Sequence, residues 1–258
     1  MQGAIKRVFE RVTPAFRENA KTSKDEIDTW LEGLSDEDIS QLLAGIRKIN
    51  SMEIPDEFED SATFLIQFLF DANPAIRKRF SDFALSRLPQ ALQTSTQETD
   101  EYTYNLLSLI AACPAEDKSL VTELLVEPVK QHTFSTRPSN HWDMHRQMLF
   151  VLQKHISEET QSLGLVDVFR ADMKNPEYAG AAYGALLAYN QNEALREFPD
   201  VLRLLFQNKI TTAALIPSMA VHLGKDEQAW LQVKTAIERE MTVVLENINK
   251  LQSGSQQT

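Results

Sequence analysis

The sequence predicts an all-α protein, and three observations support this fold class. Apolar residues recur at intervals of three and four along most of the chain, which is the spacing of one helix face. Capping residues and prolines stand where several of these runs begin. The alternation typical of strands does not persist, and the Asn-Gly and Asp-Gly pairs of tight hairpins are absent. We therefore expect antiparallel helices joined by short turns.

Composition narrows the function classes. The net charge of −11 opposes binding to nucleic-acid phosphates, so we expect no nucleic-acid partner. The single cysteine, Cys113, cannot form an internal disulfide, and it follows two alanines on an apolar run, which predicts a buried thiol. No apolar run is long enough for a membrane span, and no signal-peptide core opens the chain. The expected compartment is the cytoplasm.

The first segment, residues 2–20, has the pattern of an amphipathic helix. Its apolar side carries Ile5, Val8, Phe9 and Val12. The opposite side is basic, as on helices that rest on anionic membranes, but acidic residues interrupt it. We expect this helix to close one end of the core and not to attach to a membrane.

Two short helices are predicted next. The capping box Ser23-Lys-Asp-Glu26 starts a helix that ends near Gly33. Ser35 opens the second helix, whose apolar stripe comprises Ile39, Leu42, Leu43, Ile46 and Ile49. Residues 51–59 are predicted to form a loop.

The clearest corner follows the apolar helix Ala62–Phe70. Asn73 can cap the next helix, and Pro74 stands at its first position, where a missing N–H costs little. The apolar stripe of that helix comprises Ile76, Phe80, Phe83 and Ala84. These features predict an antiparallel helix pair with a tight turn.

From residue 101 onward, helix pairs recur with a period near 35 residues. The first helices are predicted to start near Tyr102, Asn140, Asn175 and Lys209, and the second helices to cover Lys118–Gln131, Ser157–Lys174, Glu193–Gln207 and Glu227–Leu251. Such a period is the signature of an α-solenoid. We expect one helical array over residues 1–251, with a candidate sub-boundary near residues 93–100 and a disordered tail at residues 252–258.

Two corners resemble a known repeat. Asp71-x-Asn-Pro-x-Ile-Arg77, followed by Phe80, Ala84 and Leu85, resembles the second-helix signature of HEAT repeats. Asp172-x-x-Asn-Pro176, followed by Tyr178, Ala182 and Leu186, is similar but has Ala179 in place of the arginine. The resemblance implies antiparallel helix pairs stacked as a HEAT-like α-solenoid, with an Asp–Arg ladder between neighbouring repeats. It implies no particular activity.

The sequence contains no catalytic constellation. His141-Trp-Asp-Met-His145 places two histidines one turn apart, where two imidazoles can share a metal. Trp142 replaces the glutamate of the zincin pattern, and no third ligand is evident. We predict no metal and no cofactor, with His141 and His145 as weak candidates. Nucleophile elbows, P-loops and dinucleotide fingerprints are absent, so no catalytic residue is assigned.

Two stretches are candidates for contact with another protein. Residues 25–60 contain twelve acidic and two basic residues. The acidic residues are interpreted either as solvated helix starts or as a docking patch for a basic partner. The candidate contact residues are Asp36, Glu37, Asp38, Asp56 and Glu57. The Ala- and Gly-rich helix Pro176–Tyr189 predicts close packing, or a groove floor with Tyr178 and Tyr183 as contacts.

The last helix carries a heptad pattern. Trp230, Ile237, Val244 and Leu251 stand seven apart, with Met241 and Ile248 beside them. We expect this helix to cap the array in a monomer, and a homodimer through it is the alternative.

These features predict a non-enzymatic protein-binding scaffold, adaptor or inhibitor. Its sharper form is an immunity-type protein that neutralises a basic partner. The alternative is an enzyme on a helical-repeat scaffold, such as a HEAT-like DNA glycosylase, which would use Trp142 and Asp143. These two neighbours point to different faces of a helix, which weakens that alternative.

Overall fold

Helices dominate the structure. The computed structural model describes residues 24–44, 48–49, 52–53, 61–95, 100–133, 143–156, 163–207, 210 and 212–254. These residues form α1 Lys24–Gly33, α2 Asp36–Leu43, α3 Ser61–Asp71, α4 Pro74–Thr94, α5 Asp100–Ala112, α6 Lys118–Lys130, α7 Met144–His155, α8 Val166–Met173, α9 Ala179–Tyr189, α10 Gln191–Phe206, α11 Thr212–Leu223 and α12 Glu227–Gly254. Two-residue strands β1 Lys48–Ile49 and β2 Met52–Glu53 pair antiparallel. The predicted all-α class is confirmed.

The corner before α4 forms as its residues predict. The Asn73 side chain accepts a hydrogen bond from the backbone N–H of Ile76 at 3.0 Å, and Pro74 occupies the first helical position. The stripe from Ile76 to Ala84 is buried. The helix then continues five residues past Pro89. Local capping and periodicity are therefore enough to place this element.

The second helix is shorter than its apolar pattern predicts. Helix α2 ends at Leu43, and Ile49 lies in strand β1, so the stripe predicted to reach Ile49 is wrong. A tertiary contact accompanies this end: the Asn105 side-chain amide donates to the carbonyl of Leu43 at 2.7 Å. That hydrogen bond satisfies one of the carbonyls that a helix leaves open at its C-terminus. Ile46 lies outside the described residues.

Half of the later helices begin where the 35-residue rhythm predicts, and α7, α9 and α11 begin three or four residues after their predicted starts. Helices α5, α6, α10 and α12 start within two residues of their predicted positions. Helix α8 starts at Val166 and is shorter than predicted, while residues 157–162 are not described. Helix α12 runs to Gly254, into the stretch assigned to a tail. The N-terminal segment at residues 2–20 lies outside the described part of the chain.

The chain divides into two units. Unit 1 comprises Met1–Leu124 and Phe134–Gln147, and unit 2 comprises Leu125–Thr133 and Met148–Thr258. The division lies within α6 and α7, whereas the candidate sub-boundary lies at residues 93–100. No helix in the described ranges is both long and apolar enough to cross a membrane.

In unit 1, α4 and α5 form the central pair. Helices α2 and α3 also pack on α5, and α1 packs on α4. The core contains the fully buried Phe80, Leu88, Leu106 and Ile110. Arg77 donates to the carbonyl of Ala112 at 2.9 Å, which ties the start of α4 to the end of α5. The arginine of the HEAT-like corner thus binds a helix end.

In unit 2, α9 is the central helix. Helices α8, α10 and α11 all pack against it, and α12 packs on α10. Every residue of α9 except Ala188 is buried. A helix that is apolar on all sides belongs in a core, and this composition explains the position of α9.

Candidate protein-binding surface

The N-terminus of α2 is built by a capping box. The Ser35 hydroxyl accepts a hydrogen bond from the N–H of Asp38 at 3.2 Å. The Asp38 carboxylate accepts in return from the N–H of Ser35 at 2.9 Å and from its hydroxyl at 2.6 Å. Asp38 is only 2% exposed. One of the predicted docking carboxylates therefore holds the helix start and offers no surface to a partner.

Asp36 and Glu37, which precede it, remain exposed. The Asp36 side chain is 66% exposed, and its carboxylate lies 3.9 Å from the Arg79 guanidinium. The Glu37 carboxylate accepts from the side-chain amide of Gln41 at 2.9 Å. Both carboxylates stand in the first turn of α2, where the helix dipole favours negative charge. We call this pair the acidic tip.

Two basic residues of α4 lie beside the acidic tip and also bind groups outside it, although Arg79 is 3.9 Å from Asp36. Arg79 donates to the carbonyls of Leu31 and Glu32 at 3.3 Å each, and also to that of Leu34. It thereby caps the C-terminus of α1. Lys78 pairs with Glu116 at 2.8 Å, and this hydrogen bond raises the pKa of Lys78 above its ordinary value.

Two clefts open on either side of the acidic tip. Glu37 lines a groove of about 510 Å³ between α2, α4 and α5, together with Arg87, Glu101 and Tyr102. Asp36 lines a shallower cleft of about 440 Å³ along α4. Exposed carboxylates between two concave surfaces can meet basic side chains of a partner that enters either cleft.

The predicted tyrosine contacts lie in the core of unit 2. Tyr183 is fully buried, and its ring packs against Phe198 with a centroid distance of 5.9 Å. Burial raises the pKa of the Tyr183 phenol above its ordinary value. Tyr178 is 8% exposed. Neither ring presents a face to solvent, so we leave both residues out of the proposed surface.

The structure describes only some of the remaining predicted residues. Asp56, Glu57, His141 and Trp142 lie outside the described residues. His145 lies in the first turn of α7 and is fully buried. Asp143 accepts a hydrogen bond from the N–H of Arg146 at 2.9 Å, which is the role of a helix cap. The metal and glycosylase alternatives remain untested predictions.

Sequence reasoning missed a strained histidine in unit 2. His132 has a positive φ of 49° just after α6, a position where glycine is common. The N–H of Thr133 donates to the carbonyl of Pro128 at 3.1 Å. The N–H of His132 donates to the carbonyl of Val129, also at 3.1 Å. The imidazole Nδ1 lies 3.5 Å from the buried carboxylate of Asp172. The sequence around His132 contains no glycine or asparagine that would predict this left-handed turn.

It also missed a cross-helix ion network. Arg170 on α8 contacts Glu193 at 2.5 Å and Glu197 at 2.7 Å, both on α10. The hydrogen bond with Glu197 is the main cause that raises the pKa of Arg170. The spacing of Glu193 and Glu197, one turn apart on α10, was the signal that could have indicated a shared cation.

The comparisons with known proteins add no assignment. No protein-family model matches the chain, and no curated protein or solved structure matches it at a significant level. The resemblance to HEAT repeats therefore rests on the two corner motifs, and any function must be argued from the residues themselves.

Proposed function

We propose that the protein is a non-enzymatic protein-binding module, an adaptor or inhibitor, that receives a basic partner at the acidic tip of α2. The observation that carries the proposal is the position of Asp36 and Glu37. Both are exposed at the rims of two clefts, while the neighbouring Asp38 is withdrawn into the capping box. The immunity-type inhibitor is the sharper form of this proposal.

The negative charge of the acidic tip would act mainly on the rate of association with a basic partner. Exposed carboxylates raise the rate at which a basic partner arrives more than they raise the final affinity. The Asp36 carboxylate lies 3.9 Å from Arg79 but is 66% exposed, so an incoming cation can still reach it. Arg79 also binds helix carbonyls, and Lys78 pairs with Glu116. HEAT-like stacking of the helix pairs belongs to the proposal as the scaffold that presents the tip.

The test compares two double variants with the same change in net charge. Asp36→Asn with Glu37→Gln neutralises the acidic tip. Glu177→Gln with Glu246→Gln neutralises two exposed acids of unit 2 and serves as the control. Each protein is used to capture partners from an extract of the cells that produce it, at moderate salt, and the eluates are identified by mass spectrometry.

The proposal expects a basic protein that the wild type and the control retain and the tip variant loses. With the purified partner, the tip variant should associate about tenfold more slowly at low salt, and the difference should shrink at high salt. Equal association rates for all three proteins would remove the acidic tip from the function.

A further inference from the structure

Helix α12 presents one stripe to its own unit, and that stripe ends midway. Ala229 and Val233 are buried toward α10. The last contact is Glu240, whose carboxylate receives two hydrogen bonds from Arg203 of α10, at 3.0 and 3.1 Å. Every side chain from Met241 to Asn247 is exposed. Among the described side chains of α12, which end at Asn247, the buried contacts with unit 2 therefore stop at Glu240.

A second apolar stripe runs along the same helix, roughly 90° around its axis from the first. It comprises Trp230, Ile237, Met241, Val244 and Leu245. Ile237 is half-buried, and the other four side chains are between 37% and 56% exposed. The first stripe can be covered inside unit 2, but this one faces solvent along its described length.

The spacing of the second stripe is that of a coiled-coil seam. Trp230, Ile237 and Val244 stand seven residues apart, and Met241 lies in the row between them. A seven-residue repeat keeps a helix in contact with a partner helix around which it supercoils. In the sequence the repeat continues to Leu251, whose side chain lies outside the described set. From Trp230 to Leu251 the seam is about 33 Å long at 1.5 Å per residue.

We propose that the second stripe of α12 binds the same stripe of a second copy of this chain. In a two-fold contact one surface serves both partners, so a self-complementary apolar seam is sufficient. Lys234, which stands within the seam, is paired with Glu238 on the same helix at 3.7 Å, so its charge is partly balanced. The acidic tip plays no part in this contact.

The exposed area can be compared with the area that specific dimers bury. The described stripe exposes roughly 350 Å² of apolar surface per protomer, at about 200 Å² for a complete large side chain. With the polar residues at its edges, a pair of such helices reaches the about 1,000 Å² at the lower limit of specific interfaces. Interfaces of this size belong mostly to weak, transient complexes, so we expect a dimer that dissociates on dilution.

Sedimentation equilibrium of the full chain over a range of concentrations tests the proposal. Met241→Lys places a charge in the centre of the seam. The matched control, Thr242→Lys, adds the same charge to the next residue, which is exposed and points away from the seam. We expect a monomer–dimer equilibrium for the wild type and the control, and at least a tenfold weaker dimer for Met241→Lys. Far-UV circular dichroism checks that each variant keeps its helices.

If Met241→Lys loses helix content, Val244→Lys replaces it, because that side chain is also exposed and lies in the same seam. A wild-type chain that stays monomeric at every concentration overturns the proposal. Dimers of equal strength in the wild type and both seam variants would overturn it as well.

Discussion

At Gly184 three helices of unit 2 approach one another closely. A Cβ atom built on it would lie 2.5 Å from Oε1 of Gln153 on α7 and 2.8 Å from Oγ of Ser218 on α11. These distances are shorter than any that real Cβ atoms adopt. The substitution Gly184→Ala must therefore displace the Gln153 amide, which now donates to the Ser218 hydroxyl at 2.7 Å.

The size of the effect follows from three contributions. Overpacking of a well-filled site costs about 1–3 kcal/mol. Loss of the bond between Gln153 and Ser218 adds roughly 1 kcal/mol. Alanine is a better helix former than glycine by about 1 kcal/mol, which offsets part of the loss. We expect Gly184→Ala to lower the free energy of unfolding by about 1–3 kcal/mol.

Urea denaturation followed by circular dichroism measures this change. Gly33→Ala is the control, because a Cβ on Gly33 meets nothing within 4 Å. It should leave the free energy of unfolding unchanged or raise it by up to about 1 kcal/mol, because alanine is the better helix former. Repeating Gly184→Ala in a Gln153→Ala background should shrink the penalty by at least about 1 kcal/mol, since the closest atoms are gone. If Gly184→Ala proves as stable as the wild type, the glycine is not required by close packing.

Two further predictions concern polar contacts of unit 2. The hydrogen bonds from Arg203 lower the pKa of Glu240, so this carboxylate stabilises the fold above its unfolded pKa of about 4.3 and loses that contribution as pH falls through the lower folded value. Glu240→Gln should thus cost about 1–2 kcal/mol at pH 7 and progressively less in urea titrations toward pH 3. At His132, both His132→Ala and His132→Gly remove the contact with Asp172, but only glycine suits the positive φ. The glycine variant should therefore have a free energy of unfolding about 1 kcal/mol higher than the alanine variant, and equal values would contradict the strain.

Helix starts were predictable because they depend on neighbouring residues. Asn73 sets the start of α4 because its side chain binds the N–H of Ile76, three residues later in the sequence. Pro74 contributes through its fixed φ at the first helical position. The end of α2 was not predictable in this way. Its apolar spacing continues to Ile49, and the carbonyl of Leu43 is bound by Asn105, which is 62 residues away in sequence. A pattern within one segment cannot reveal such a contact.

The acidic tip shows the same limit at the level of single residues. All three residues Asp36, Glu37 and Asp38 are acidic, yet only Asp38 is buried. At 100° per residue, one step along the helix separates solvent from core. The spacing of Ser35 and Asp38 is that of a capping box, and it could have predicted that the Asp38 carboxylate binds the start of the helix. The burial of Tyr183 could have been predicted from the apolar character of α9 on every side. A helix of this composition is typical of a core and not of a groove floor.

The two proposed contacts depend on different forces, and salt separates them. Docking at the acidic tip relies on exposed charges, whose interaction is screened over about 10 Å at 0.1 M salt and about 3 Å at 1 M. Pairing of α12 relies on removing Met241, Val244 and Trp230 from water, and added salt does not weaken apolar burial. Raising the salt concentration should therefore slow the arrival of a basic partner at Asp36 and Glu37 and leave the monomer–dimer equilibrium nearly unchanged. If salt weakened both contacts equally, charges would govern the α12 contact too, and the exposed stripe would not be its cause.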